Sequence, residues 1–202
     1  MAYKHKSRTG FTLVELLVVI VIVSLLSALT LGALRTGGIR AKEDSARSFV
    51  VHISDSLMEL FEELDDRGYT LAQKQSQIPD TKSQALSSPL NLPFGSTYQS
   101  YATRIGGADT ERAECLYMIM TQTGYFSDFI ESLHEQQVAN TGGGISLELI
   151  DPWGTPIQLE WQTVTISGNA VDLPVIRSAG VDLVYGTNDD IVSIDGNGIF
   201  AQ

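Results

Sequence analysis

Hydrophobic and polar positions along this chain fall into three regimes. From Phe11 to Leu34 apolar residues run almost without a break, 24 residues with a single charge at Glu15. Beyond it Ile39, Ala46, Phe49, Val50, Ile53, Leu57, Leu60, Phe61 and Leu64 recur at three- and four-residue spacing, with Lys42, Glu43, Asp44, Arg47, Asp55, Glu59 and Glu63 between them. After Gly144 come short apolar runs, Ile145–Ile150, Ile157–Val164 and Pro174–Arg177, separated by turn residues. The first pattern predicts a helix that is apolar all round. The second predicts an amphipathic helix with one buried stripe, and the third predicts short strands.

The 24-residue run is long enough to cross a bilayer: at about 1.5 Å per residue it spans roughly 36 Å, against a hydrocarbon core of about 30 Å. Lys4, Lys6 and Arg8 precede it and should stay on the cytoplasmic side. An ordinary secretory signal has a shorter apolar core followed by a small-residue cleavage site. Here the small residue, Gly10, comes before the run. A plain membrane anchor accounts for length and orientation but has no use for Glu15, since a carboxylate in an apolar span costs a few kcal/mol and usually has a functional partner.

Gly37-Gly38 marks a place where the helix is expected to bend or melt. Asp65-Asp66-Arg67-Gly68 predicts its stop. Pro79, Pro89 and Pro93 interrupt residues 69–109, which read as loops with short helical pieces. Glu111–Gln122 reads as a helix with Ala113, Leu116, Tyr117 and Met120 on one face, Tyr125–Gln137 as a second short helix, and Thr141–Gly144 as a flexible joint. Asp151-Pro152-Trp153-Gly154-Thr155-Pro156 reads as a rigid turn.

Charge and composition narrow the function. The net charge is −11, and since the first ten residues carry three cations and no acid, the remainder stands at −14. Phosphate binding needs a basic footprint, so nucleic acid is not expected as a partner. The lone cysteine, Cys115, cannot form an internal disulfide and reads as a small buried apolar residue. His52 and His134 have no partner motif and read as surface or packing residues. Gly142-Gly143-Gly144 lacks the lysine of a phosphate loop, and no nucleophile–base pair or metal-spaced His/Cys set stands out, so no enzyme activity is expected.

Gly10-Phe11-Thr12-Leu13-Val14-Glu15-Leu16 resembles the class III leader junction of type IV prepilins and type II secretion pseudopilins. The resemblance implies that a prepilin peptidase cuts after Gly10 and methylates the new N-terminus at Phe11. It also implies that Glu15 meets the N-terminal amine of an adjacent subunit during assembly. The physics is consistent: at about 4 Å and an effective dielectric near 20, such a pair attracts by about 4 kcal/mol before desolvation, enough to fix axial register.

The C-terminal region, about residues 147–192, resembles that of the major pseudopilin of type II secretion. It has the Asp151-Pro-Trp-Gly turn, a short sheet, and Ser178-Ala179-Gly180 leading to an acidic loop that ends Gly186-Thr187-Asn188-Asp189-Asp190. The resemblance implies a calcium ion held by Asp182, Asp189 and Asp190. A hard cation with six to eight oxygen ligands suits such a loop. The pattern is not an EF-hand, and Leu183 stands where the family usually has glycine, which disfavours a left-handed backbone at that position.

The expected fold is α+β: a long N-terminal helix, part membrane-spanning and part amphipathic, packed on a small antiparallel sheet domain with a helical and loop insertion. The expected segments are a leader (1–10), a transmembrane and filament-core helix (11–34), an amphipathic helix (35–68), an insertion (69–144) and a C-terminal β region (145–202). The resemblance implies a structural subunit of a type II secretion pseudopilus. Its implied partners are like subunits in a homopolymer, the prepilin peptidase and methylase, the inner-membrane assembly platform and minor pseudopilins. The implied location is the bacterial inner membrane, single-pass, with the C-terminal domain periplasmic or in an extracytoplasmic filament. The alternative is a minor or adhesive type IV pilin serving motility, adhesion or DNA uptake. A membrane-anchored enzyme is a third class.

Overall fold

A computed structural model describes residues 12–106, 110–133, 137–141, 146–166, 168–195 and 198–199, with side chains for all of these except 29–36, 195, 198 and 199. The chain divides into two compact units, Met1–Ala41 and Lys42–Gln202. Helix α1 runs from Leu13 to Asp66. Among the described residues five shorter helices follow: α2 (Leu71–Gln77), α3 (Lys82–Ser87), α4 (Gly95–Ala102), α5 (Glu111–Thr123) and α6 (Ser127–Ser132). Among the described residues seven strands follow: β1 (Val138–Ala139), β2 (Glu148–Leu149), β3 (Gln158–Ile166), β4 (Asn169–Ser178), β5 (Ile191–Val192), β6 (Ile194–Asp195) and β7 (Gly198–Ile199). All pairings are antiparallel, in a three-stranded sheet β3-β4-β5 and two two-stranded ribbons, β1-β2 and β6-β7. This is the expected α+β class.

In the Lys42–Gln202 unit, α1 contributes one stripe: Ala46, Val50, Ile53, Leu57, Leu60 and Leu64 are buried, at alternating spacings of four and three. Each of the larger side chains contributes about 1.5–3 kcal/mol by leaving water. The helix ends where the sequence marks it: Asp66 is its last residue and Gly68 takes a φ of +75°. Gly37-Gly38, by contrast, does not break it. Helical hydrogen bonding continues through both residues, and nothing lies within 4 Å of a Cβ built at either one.

The segment 69–144 is a structural half of the core rather than an appendage. Ile78, Ala85, Tyr98, Leu116, Ile119 and Phe126 belong to the same buried cluster as the α1 stripe and Leu159 and Ile176 of the sheet. Its short helices are held by side-chain caps and one buried amide. Thr70 and Gln73 form a capping box at α2, and Thr81 Oγ1 accepts from Gln84 N at α3. The Gln77 side chain donates to Ser88 Oγ at 3.0 Å and accepts from Phe94 N at 3.1 Å, while Tyr98 Oη donates to the Gln77 carbonyl. Trp161 Nε1 in β3 donates to the Ile78 carbonyl at 2.9 Å, tying the helices to the sheet. α5 is buried on more than the expected face, since Cys115, Met118 and Ile119 are covered as well. Burial pushes the Cys115 thiol far above its ordinary pKa, which makes it a packing residue. Of the second predicted helix, Tyr125–Gln137, the described part holds α6, and residues 134–136, His134 among them, and residues 142–144 of the joint lie outside the described residues. His52 packs its ring on Phe129, 5.2 Å between centroids.

β3 and β4 pair from Gln158↔Arg177 to Ile166↔Asn169, so the second strand starts five residues before the predicted Pro174. Pro174 is tolerated inside β4 because β5 pairs with that strand only at Arg177 and Ser178, leaving the proline on an edge.

Candidate functional sites at the helix start and the acidic loop

Glu15 lies in the first turn of α1. Thr12 Oγ1 accepts from Glu15 N at 3.3 Å, and Glu15 Oε2 accepts from Thr12 N and Oγ1, each at 3.4 Å. This is the reciprocal pattern of a capping box, and it places a carboxylate at the positive end of the helix dipole. Gly10 and Phe11 lie outside the described residues. From Leu13 to Leu26 the large apolar side chains are exposed, from 81% at Leu13 to 46% at Val19. Ser24 and Ser27 turn their hydroxyls back onto the carbonyls of Ile20 and Val23, both at 2.7 Å, so these two polar groups are satisfied within the helix. Among the described residues no helix is long and apolar enough to cross a membrane. Of the Phe11–Leu34 run, the described side chains are those of 12–28, fewer than the roughly 20 residues a crossing takes.

The acidic loop connects β4 to β5. Its entry is anchored by the Asp151 turn. Asp151 is buried; Oδ1 accepts from the backbone of Trp153 and Thr155, both at 2.9 Å, and Oδ2 accepts from Ser178 Oγ at 2.7 Å. The segment is the expected turn, and Asp151 has a role beyond that expectation as the link to the loop. The Asp-Pro-x-Gly spelling carried that signal, since aspartate in a turn binds its own backbone two residues on. Gly180 follows at φ +67°, and a Cβ there would sit 2.2 Å from the Asp189 carbonyl oxygen, so only glycine fits. Tyr185 Oη donates to the Pro156 carbonyl, closing the loop against the turn.

Leu183 is the one described non-glycine residue with positive φ, at +64°. The leucine therefore does adopt the left-handed backbone that the family's glycine would supply, at a cost of about 1–2 kcal/mol.

The three aspartates do not converge. Asp182 Oδ1 accepts from Val184 N at 2.8 Å in an Asx turn. Asp189 Oδ2 accepts from Asp182 N at 2.9 Å, and its Oδ1 from Thr187 Oγ1 at 2.7 Å. The Thr187 and Asp182 donors hold the Asp189 carboxyl below the ordinary aspartate value. Asp190 turns inward, with only 2% of its side chain exposed; Oδ2 accepts from Arg177 Nη1 at 2.6 Å and from Gly186 N at 2.8 Å. Among the described residues no three His, Cys, Asp or Glu side chains are grouped to hold a metal ion. As folded, this donor set does not fit the calcium ion implied by the resemblance, because its most buried carboxylate already has a cation.

Residues 5–31 match the family described as the prokaryotic N-terminal methylation motif, a stretch that contains Gly10, Phe11 and Glu15. No curated protein and no solved structure matches the chain. Residues 5–31 thus carry a class III prepilin leader, and a 54-residue helix beginning at Leu13 with a small antiparallel sheet is consistent with a type IV pilin-like fold.

Proposed function

We propose that this chain is a structural subunit of a type II secretion pseudopilus, cut after Gly10, N-methylated at Phe11 and polymerised through the first half of α1. The observation that carries the reading is the exposed apolar surface from Leu13 to Leu26, which holds a single charge at Glu15. Apolar surface of that extent marks a site that another molecule or a lipid must cover. In the precursor the cover is the inner membrane, and in the filament it is the same segment of neighbouring subunits. Glu15 then exchanges its local bond to Thr12 for the cationic amine of an adjacent Phe11, which fixes register because neither charge tolerates an apolar surround alone.

The C-terminal resemblance supports the secretion branch: the Asp151 turn and the Gly180–Asp190 loop form one hydrogen-bonded unit, built from the segments that carry the resemblance. A groove of about 470 Å³ beside the turn is lined by Ser45, Phe49, Gln137 and Trp153 among others, and its one carboxylate, Asp151, has both oxygens committed. That is the chemistry of a packing surface and supports a structural role. A type IV pilin of motility or adhesion is the competing reading, favoured only by the leader that both branches share.

The test is expression of Glu15→Ala and Gly10→Val beside the wild-type chain in a host with a prepilin peptidase. Glu15→Ala should be processed and membrane-inserted but lose most filament formation, whereas Gly10→Val should accumulate as uncut precursor. Wild-type filament yield from Glu15→Ala would refute the register role. Restoration of protein export, rather than of twitching or adhesion, in a host lacking its own major pseudopilin separates the two branches.

A further inference from the structure

Between residues 145 and 202 the sequence holds one Lys or Arg, Arg177, against eight Asp and Glu. That single cation is not on an open surface. Its side chain is 17% exposed, and it lies between Glu160, 16% exposed, and Asp190, 2% exposed. Arg177 Nε and Nη2 donate to Glu160 Oε1 at 2.9 and 2.6 Å, while Nη1 donates to Asp190 Oδ2 at 2.6 Å.

The register of the sheet creates this. Arg177 pairs with Gln158 in β3, so Glu160, two residues along the same face, is its diagonal neighbour. On the other side Ser178 pairs with Ile191, which brings Asp190, the residue before β5, alongside the guanidinium. Arg112 of α5 adds a contact to Glu160 Oε2 at 3.2 Å. The result is a row of alternating charge from α5 through β3 and β4 to the loop. Burial alone would lower the Arg177 pKa, but the hydrogen bonds and charges of Glu160 and Asp190 outweigh it and raise the value.

We propose that Arg177 is the built-in cation of the acidic loop: by clamping Asp190 it closes the loop onto the sheet, at the place where the resemblance implies calcium, without a divalent ion. Two further features fit this role. Asp182 and Asp189 are occupied in bonds within the loop, and Gly186 N completes the Asp190 contact. A planar guanidinium also offers several donors in fixed directions, which lets one side chain serve two carboxylates.

The experiment uses the full chain in detergent and follows thermal unfolding by tryptophan fluorescence in 1 mM calcium chloride and in 1 mM EGTA. The wild-type midpoint should agree within about 1 °C between the two media. Arg177→Met should lower the midpoint by roughly 5–10 °C in EGTA, as expected for stranding a buried carboxylate, and calcium should restore part of that loss. If Arg177→Met fails to fold, Arg177→Lys, which keeps the charge but loses the fork, should unfold earlier than wild type in both media. A wild-type midpoint several degrees higher in calcium than in EGTA would overturn the proposal. So would an Arg177→Met or Arg177→Lys midpoint equal to wild type in EGTA.

Discussion

The helix start and the acidic loop are built on opposite principles. Residues 13–28 are held by local bonds: helical hydrogen bonds, the Thr12–Glu15 cap and two serines bonded to their own helix. Their side chains are left outward for another molecule to cover. The loop from Ala179 to Asp190 has almost no regular secondary structure and depends on partners distant in sequence: Asp151 through Ser178, Pro156 through Tyr185, and Arg177 through Asp190. A region made to be buried by assembly can be rewritten with little effect on the folded subunit. A region closed by tertiary contacts cannot.

Substitutions at the loop should therefore cost stability, and substitutions on the outward helix should cost only assembly. The largest effect is expected from Gly180→Ala. The new Cβ meets the Asp189 carbonyl, and the residue needs a left-handed backbone, so chemical denaturation should show a loss of about 3 kcal/mol. Asp151→Ala strands two backbone N–H groups and the buried Ser178 hydroxyl, and should cost about 2 kcal/mol. Leu183→Gly should run the other way, gaining up to about 1 kcal/mol, because strain relief at φ +64° exceeds the added freedom of the unfolded chain. A loss on Leu183→Gly would mean that the leucine packs in a way that its 53% exposure does not suggest.

Acid should act on the same loop. The folded Asp189 value is depressed, so its contribution is present above the ordinary 3.8 and fades as pH falls through the lower folded value. The unfolding midpoint should drop as pH falls from 3.8 towards that folded value, and Asp189→Asn should flatten the drop. The smallest effect is expected from Leu17→Ala on the exposed helix face. It should change the stability of the Lys42–Gln202 unit by less than about 0.5 kcal/mol while reducing polymerisation. A shift comparable to that of Asp151→Ala would break the contrast between the two regions.

Much of the fold was legible in order along the chain. The four-and-three spacing of Ala46, Val50, Ile53, Leu57, Leu60 and Leu64 identified the buried stripe, Gly68 identified the helix stop, and the body of α5 lies within one residue of its predicted span. Gly37-Gly38 does not melt the helix, because glycine lowers helix propensity by about 1 kcal/mol without forbidding a helix that neighbouring turns extend. Residues 69–144 looked like an insertion because their prolines and polar runs hide a core contribution that arrives one or two side chains at a time, as with Ile78, Ala85 and Tyr98.

By itself the sequence determined what depends on local spacing: the apolar run with its one carboxylate, the methylation motif at residues 5–31, the amphipathic half of α1 and the turn at Asp151. Each is a statement about residues within a few turns of one another, and helical and turn geometry convert such spacing directly into faces and bends. Only the tertiary structure decided what the acidic loop binds to itself. Sheet register carried Arg177 between Glu160 and Asp190, 17 and 13 positions away. Charge partners across a hairpin are set by pairing, not by spacing along the chain, so the loop's arrangement emerged only once the strands were in place.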